Sequence, residues 1–236
     1  MMADEMGGMW IEHTVKGFPD LTQDRPTFPE EELSTGQLIV CMSLDLVTLN
    51  EVAVSIRTVS PRILELKIPP AVKSFLPDWE YMSVTQVQTL TSKPSLQLTT
   101  RKGSLRAEIM VRRPGEKKCL YKSFARNKNI VLDVYKHDLR SKPVCDKKYS
   151  VRNINAISLK YSEKVFYIDN TSDRIGFAVS TAAHWQRRSS KLAQYWTCTS
   201  NLEKVDGSRK GGLIFCVEDY RIWWSFDNLK VKEPEC

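Results

Sequence analysis

Histidine is scarce in this chain. His13, His137 and His184 are the only three in 236 residues, and none stands beside cysteines at the paired spacing of a zinc site. The six cysteines are Cys41, Cys119, Cys145, Cys198, Cys216 and Cys236. They are far apart and form no C-x-x-C pair, so no metal or thiol-redox motif is legible. Glycine is also sparse, at ten residues. The one glycine-rich run, Gly207 to Gly212, lacks the spacing of a phosphate-binding loop and reads as a turn tip. No G-x-S-x-G elbow is present, and the acidic residues of the body are scattered, so no nucleophile or carboxylate pair stands out. His137 and Cys145 lie eight apart in one basic loop and read as surface residues. From these absences the chain is expected to be no enzyme, to bind no metal or cofactor, and to take no small-molecule substrate.

No apolar run approaches the roughly 18 to 20 residues that span a bilayer. Met1 to Trp10 carries Asp4 and Glu5 and lacks a basic start followed by an apolar stretch, so no secretory leader is read there. The expected location is therefore cytoplasmic or nuclear and not secreted, with reduced thiols. In that setting the Asn170-Thr171-Ser172 sequon carries no meaning.

Charge is what the chain does have, and it is unevenly placed. The net charge is +7. Residues 1–33 hold two basic against eight acidic residues, a local −6, whereas residues 101–152 hold sixteen against five, a local +11. A basic surplus of that density points to a polyanionic partner. Residues 1–35, rich in Gly, Pro, Asp and Glu, read as an acidic mobile arm. Residues 36–236 read as a single β-rich globular domain, with a weak subdivision near 136–148.

The periodicities from Gly36 onward are those of strands. Val52, Val54 and Ile56 alternate with Ala53, Ser55 and Arg57, and Leu64, Leu66 and Ile68 alternate with Glu65 and Lys67. Further strands are expected at 82–90, 96–100, 105–111, 118–124, 130–135, 154–161, 165–168, 174–179, 213–217 and 220–226. Arg113-Pro114-Gly115-Glu116 reads as a turn, with proline presetting φ at its second position and glycine accepting positive φ at its third. Residues 182–197 lack Gly and Pro and predict the one helix, capped by Thr181. The expected fold is mainly β: an antiparallel sandwich or barrel-like body of about eleven strands with one helix at about 182–197.

Two constellations carry the functional expectation. Around the turn at Pro114 lie Arg101, Lys102, Arg106, Arg112, Arg113, Lys117, Lys118 and Lys122, which on a twisted hairpin would track a phosphate backbone. The helix adds Arg187, Arg188 and Lys191 on one face. Tyr121 and Phe124 are candidates for stacking on bases, and Trp223 for stacking or an interface. The resulting expectation is a non-enzymatic binder of nucleic acid, RNA or single-stranded, of a kind that suits a viral structural, movement or accessory protein. Two alternatives use the same residues: a matrix-like protein that self-assembles as a homo-oligomer on anionic membrane surfaces, and a β-sandwich adaptor for another protein.

Overall fold

Strand β5 (Arg106–Arg112) is buried at six of its seven residues, and β13 (Gly212–Glu218) likewise. Strands covered on both faces lose the alternation of a half-wet sheet, and the architecture supplies that double cover. In the computed structural model, residues 1–15, 30, 36–61, 63, 66–83, 95–136, 143–145, 148–169, 175–181, 194–200 and 211–231 are described. Their remaining strands are β1 (Met2–Asp4), β2 (Gly7–His13), β3 (Ile39–Leu44), β4 (Ser95–Thr99), β6 (Val131–Lys136), β7 (Val144–Cys145), β8 (Ser150–Asn153), β9 (Ala156–Tyr161), β10 (Lys164–Asp169), β11 (Gly176–Ser180) and β12 (Trp196–Thr199). The helices are α1 (Leu46–Thr58), α2 (Pro77–Glu80), α3 (Leu120–Lys128) and α4 (Tyr220–Asp227). The mainly-β expectation holds, with thirteen strands in mostly antiparallel sheets.

Eight strands form one sheet in the order β4-β5-β13-β12-β11-β6-β8-β7. All its neighbours are antiparallel except β6 and β8. One face carries Leu213, Phe215 and Val217 of β13. It packs with Ile109 and Val111 against Leu49, Val52 and Ala53 of α1 and against Trp10 and Met42 of the small sheet β1-β2-β3. Farther along this face Tyr135, Phe177 and Val179 pack against Trp223 and Phe226 of α4 and Ile157 and Ile168 of the β9-β10 ribbon. The opposite face carries Met110, Ile214, Cys198, Cys216, Ala178, Leu132 and Val134, covered by Leu120, Tyr121 and Phe124 of α3.

Several expected strands are helices, each for a local reason. Asp45 caps α1 by accepting a hydrogen bond from the Thr48 N–H at 2.7 Å, and the buried Leu49, Val52 and Ala53 have helical spacing. The β-branched run 52–56 is thus overridden by the cap and by burial. Residues 220–226 form α4 because Asp219 accepts from the N–H groups of Arg221 and Ile222. The hairpin expected across Pro114 has its turn: the Glu116 N–H donates to the Arg113 carbonyl at 3.2 Å, and Gly115 has φ +85°. The chain then enters α3 instead of returning as a strand. Asn129, at φ +57°, stops that helix. The predicted helix of 182–197 lies mostly outside the described residues, and its last two residues, Trp196 and Thr197, belong to β12.

The acidic arm expected over 1–35 begins as structure. β2 pairs with β1 on one edge and β3 on the other. Gly8 is required there, because a Cβ would meet the Met2 carbonyl oxygen at 2.6 Å and the Leu49 side chain. The thiols are not all reduced: Cys198 and Cys216 face each other across β12 and β13 in a disulfide, and Cys145 is also disulfide-bonded. Among the described residues no helix is long and apolar enough to cross a membrane.

Candidate active site

Strand β2 brings polar residues onto the sheet. Trp10 seats it, meeting Phe215 edge-on at a centroid distance of 5.3 Å. Two residues on and pointing the same way, Glu12 is buried, and its Oε2 accepts a hydrogen bond from Thr199 Oγ1 at 3.4 Å. A carboxylate is expensive to bury without partners, so its presence under β2 marks this place off from the surrounding apolar contacts. Thr197, on the same face of β12 two residues earlier, has a buried hydroxyl with no hydrogen-bond partner among the described residues.

His13 follows and closes the β2-β3 ladder opposite Ile39. Beyond it Thr14 donates its N–H to the Leu38 carbonyl at 3.0 Å. The Thr14 hydroxyl accepts from the Leu38 N–H and donates to Gln37 Oε1, both at 2.9 Å. Ser200 Oγ donates to the Leu213 carbonyl at 3.1 Å. Glu12, His13, Thr14, Leu38, Val40, Thr199 and Ser200 thereby line a shallow recess with almost no enclosed volume. Small-molecule sites usually enclose about 300–1,000 Å³, so a substrate group would meet this dent at its surface and not inside it. The imidazole of His13 is half-buried. Burial pushes its pKa below the ordinary 6.5, and a hydrogen bond with the Val15 backbone offsets part of that. Among the described residues no cluster of three or more His, Cys, Asp or Glu is arranged to hold a metal ion.

The residues singled out from charge are divided by the fold. Arg113 and Lys117, in the turn after β5, stand at the same end of the sheet as Ser200, since Arg112 pairs with Gly212 and Ser200 bonds to Leu213. Lys118 is half-buried there. From the strand registers, Arg113 lies roughly 17 Å from Thr199, two strands across and four residues along. Arg101, Lys102 and Arg106 are exposed at the opposite end, where Arg106 pairs with Thr99 and Glu218. Lys122 is half-buried on α3. Arg187, Arg188 and Lys191 lie outside the described residues, as do His137 and His184.

Four choices are corrected by burial. Arg112 is 3% exposed and holds the turn closed, its Nη1 donating to the Lys118 carbonyl at 3.1 Å. Tyr121 and Phe124 are core residues under α3 and present no face for stacking. Trp223 packs among Tyr195 and Tyr220 and donates its Nε1 to the Ser180 carbonyl, whereas its neighbour Trp224 is exposed. Glu12 and His13 fall within residues 1–35, which the sequence reads as an arm, so neither is among the candidates drawn from charge. The available signal was the adjacent acid and imidazole, Glu12-His13, directly after the apolar pair Trp10-Ile11.

Comparison with known proteins resolves the class. The family model for deoxyribonuclease II matches residues 1–236, the whole chain. No curated protein and no solved structure matches it. The family is one of acid DNA-hydrolysing enzymes, which overturns the expectation of a non-enzymatic binder and with it the viral, membrane-matrix and adaptor readings. The partner to be accounted for is a DNA substrate, in place of RNA or an anionic membrane. The basic surplus that suggested a polyanion carries no information on catalysis, which needs few residues and those in space. The full-length match places this chain in the deoxyribonuclease II family.

Proposed function

We propose that the chain hydrolyses the phosphodiester backbone of DNA, with the recess at Glu12 and His13 as the reacting centre. The observation that carries this reading is a half-buried histidine, His13, next along the strand to the buried Glu12, both lining the recess formed with Thr199 and Ser200. His13 is the proton-transferring residue. Its lowered pKa keeps a fraction of neutral imidazole in mildly acidic surroundings where an ordinary histidine is mostly charged, so it can accept a proton there and return it. Arg113, Lys117 and Lys118 hold the flanking strand. A span of roughly 17 Å covers about five phosphates at 3.4 Å per nucleotide along the axis.

The same reading revises the compartment from cytoplasmic or nuclear to an oxidising and acidic one. The Cys198–Cys216 disulfide and the disulfide at Cys145 support it, and so does a family whose members are typically lysosomal or secreted.

The test is hydrolysis of duplex DNA at acidic pH by wild type and by His13→Ala and His13→Asn. Loss of a positioned general acid–base should cost about 100-fold or more, with unchanged circular dichroism and DNA affinity. Activity within twofold of wild type in both variants would remove His13 from the reaction.

A further inference from the structure

The β9-β10 ribbon has no strand partner on either side among the described residues beyond a single bridge from Ile157 to Lys230. Its inner pair, Ile157 with Ile168, packs into the core beside Tyr135 and Phe177. The Ser158 N–H donates to the Leu229 carbonyl at 2.7 Å and fixes the base. Beyond it exposure rises outward. Phe166 opposite Leu159 is 49% exposed, Tyr167 is 70% exposed and Tyr161 at the tip is 78% exposed. Ser162, at φ +55°, turns the chain. Lys160 and Lys164 lie one on each strand, and the register puts them on opposite faces.

We propose that this ribbon is an arm that enters the major groove of duplex DNA beside the recess, an inference that rests on DNA being the substrate. Position is the first support. Tyr135, whose hydroxyl donates to the Ile168 carbonyl at the ribbon base, pairs with Phe177, and Phe177 pairs with Thr199 of the recess. Ribbon base and recess floor are thus two strands apart, about 10 Å, with the cationic turn at Arg113 on the far side. Size is the second. A groove about 12 Å wide and 8.5 Å deep admits a two-stranded ribbon, and the three outer pairs of this one extend about 7–10 Å. Charge is the third. Lys160 and Lys164 outnumber Glu163 between the inner pairs, and one lysine on each strand can reach each phosphate wall of the groove, with Tyr161 and Phe166 against base edges.

Equilibrium binding of a fluorescein-labelled 20-base-pair duplex, followed by anisotropy across a salt series, tests the arm. The variant Lys160→Ala/Lys164→Ala should bind more weakly and lower the magnitude of the log–log salt slope by about 1.8, at 0.9 per phosphate contact. Tyr161→Ala/Phe166→Ala should weaken binding with the slope unchanged. Duplex bearing glucosylated hydroxymethylcytosine, which fills the major groove, should bind wild type more weakly. An unchanged slope in the lysine variant overturns the phosphate contacts, and equal affinity for the filled groove overturns the groove assignment. Hydrolysis of bis(p-nitrophenyl) phosphate reports on the recess separately: all arm variants should match wild type. A wild type inactive on both this ester and DNA would sink the catalytic reading while leaving the binding result to judge the arm.

Discussion

Replacing Asp133 by alanine removes a carboxylate with no exposed surface that three donors converge on. Arg152 Nε lies at 2.7 Å, Thr181 Oγ1 at 3.0 Å and Lys230 Nζ at 3.0 Å. Lys230 also contacts Asp227, so it keeps one counter-charge after the change, while Arg152 keeps no carboxylate that Asp133 had provided. Removing one member of a buried ion cluster costs about 3–5 kcal/mol, because the remaining charges stay desolvated. For 236 residues, an unfolding entropy near 2.1 cal/mol/K per residue makes each kcal/mol worth about 2 °C. The expected fall in Tm is therefore about 6–10 °C by calorimetry at neutral pH. Because Lys230 also bridges to Ile157, the base of the ribbon should lose hydrogen-exchange protection before the rest of the sheet. The triple variant Asp133→Leu/Arg152→Met/Lys230→Met removes Asp133 and both of its cations, leaving the part-exposed Asp227 without Lys230, and should recover part of the loss. A fall below about 2 °C in the single variant, or a triple variant no better than the single, would refute the argument.

Two further outcomes follow from the site. Trp10→Ala should cost about 3–5 kcal/mol as a large buried side chain is deleted. In urea at a permissive temperature it should also depress DNA hydrolysis before global unfolding, since Trp10 seats the strand that carries Glu12 and His13. His13→Gln should flatten the pH dependence of stability. Burial lowers the folded pKa of His13 below 6.5, so the unfolded chain binds the proton first. Stability is then full above pH 6.5 and declines as pH falls through 6.5 toward the folded value. Denaturant midpoints measured from pH 7.5 to 4.5 should therefore drop less in the variant than in wild type.

Much of the sheet was legible because β4, β6, β9, β10, β11 and β13 are short β-branched or aromatic runs bounded by turn residues, and length alone separates them from helices. The errors have a common cause. Val52 to Ile56, Tyr121 to Phe124 and Tyr220 to Phe226 alternate well enough to pass as strands. What makes them helices is an upstream cap in two cases, Asp45 seven residues before Val52 and Asp219 directly before Tyr220, and in the third the tertiary cover that buries Leu120, Tyr121 and Phe124 together. The site was illegible for a different reason. Its carboxylate and imidazole lie in β2, while the hydroxyls that complete it, Thr199 and Ser200, belong to β12. No window of sequence contains both, and charge density pointed to residues 101–152.

That separation has a consequence for biosynthesis. The Glu12–Thr199 hydrogen bond closes a span of 187 residues, and β12 is paired on both edges, by β11 and by β13. At about 5–20 residues per second, a ribosome needs roughly ten to forty seconds to deliver Thr199 after Glu12 has emerged. Throughout that interval the nascent chain carries an imidazole with no recess around it. Contacts of such long range also form late in folding. The recess is therefore completed as one of the last events of the chain's own maturation.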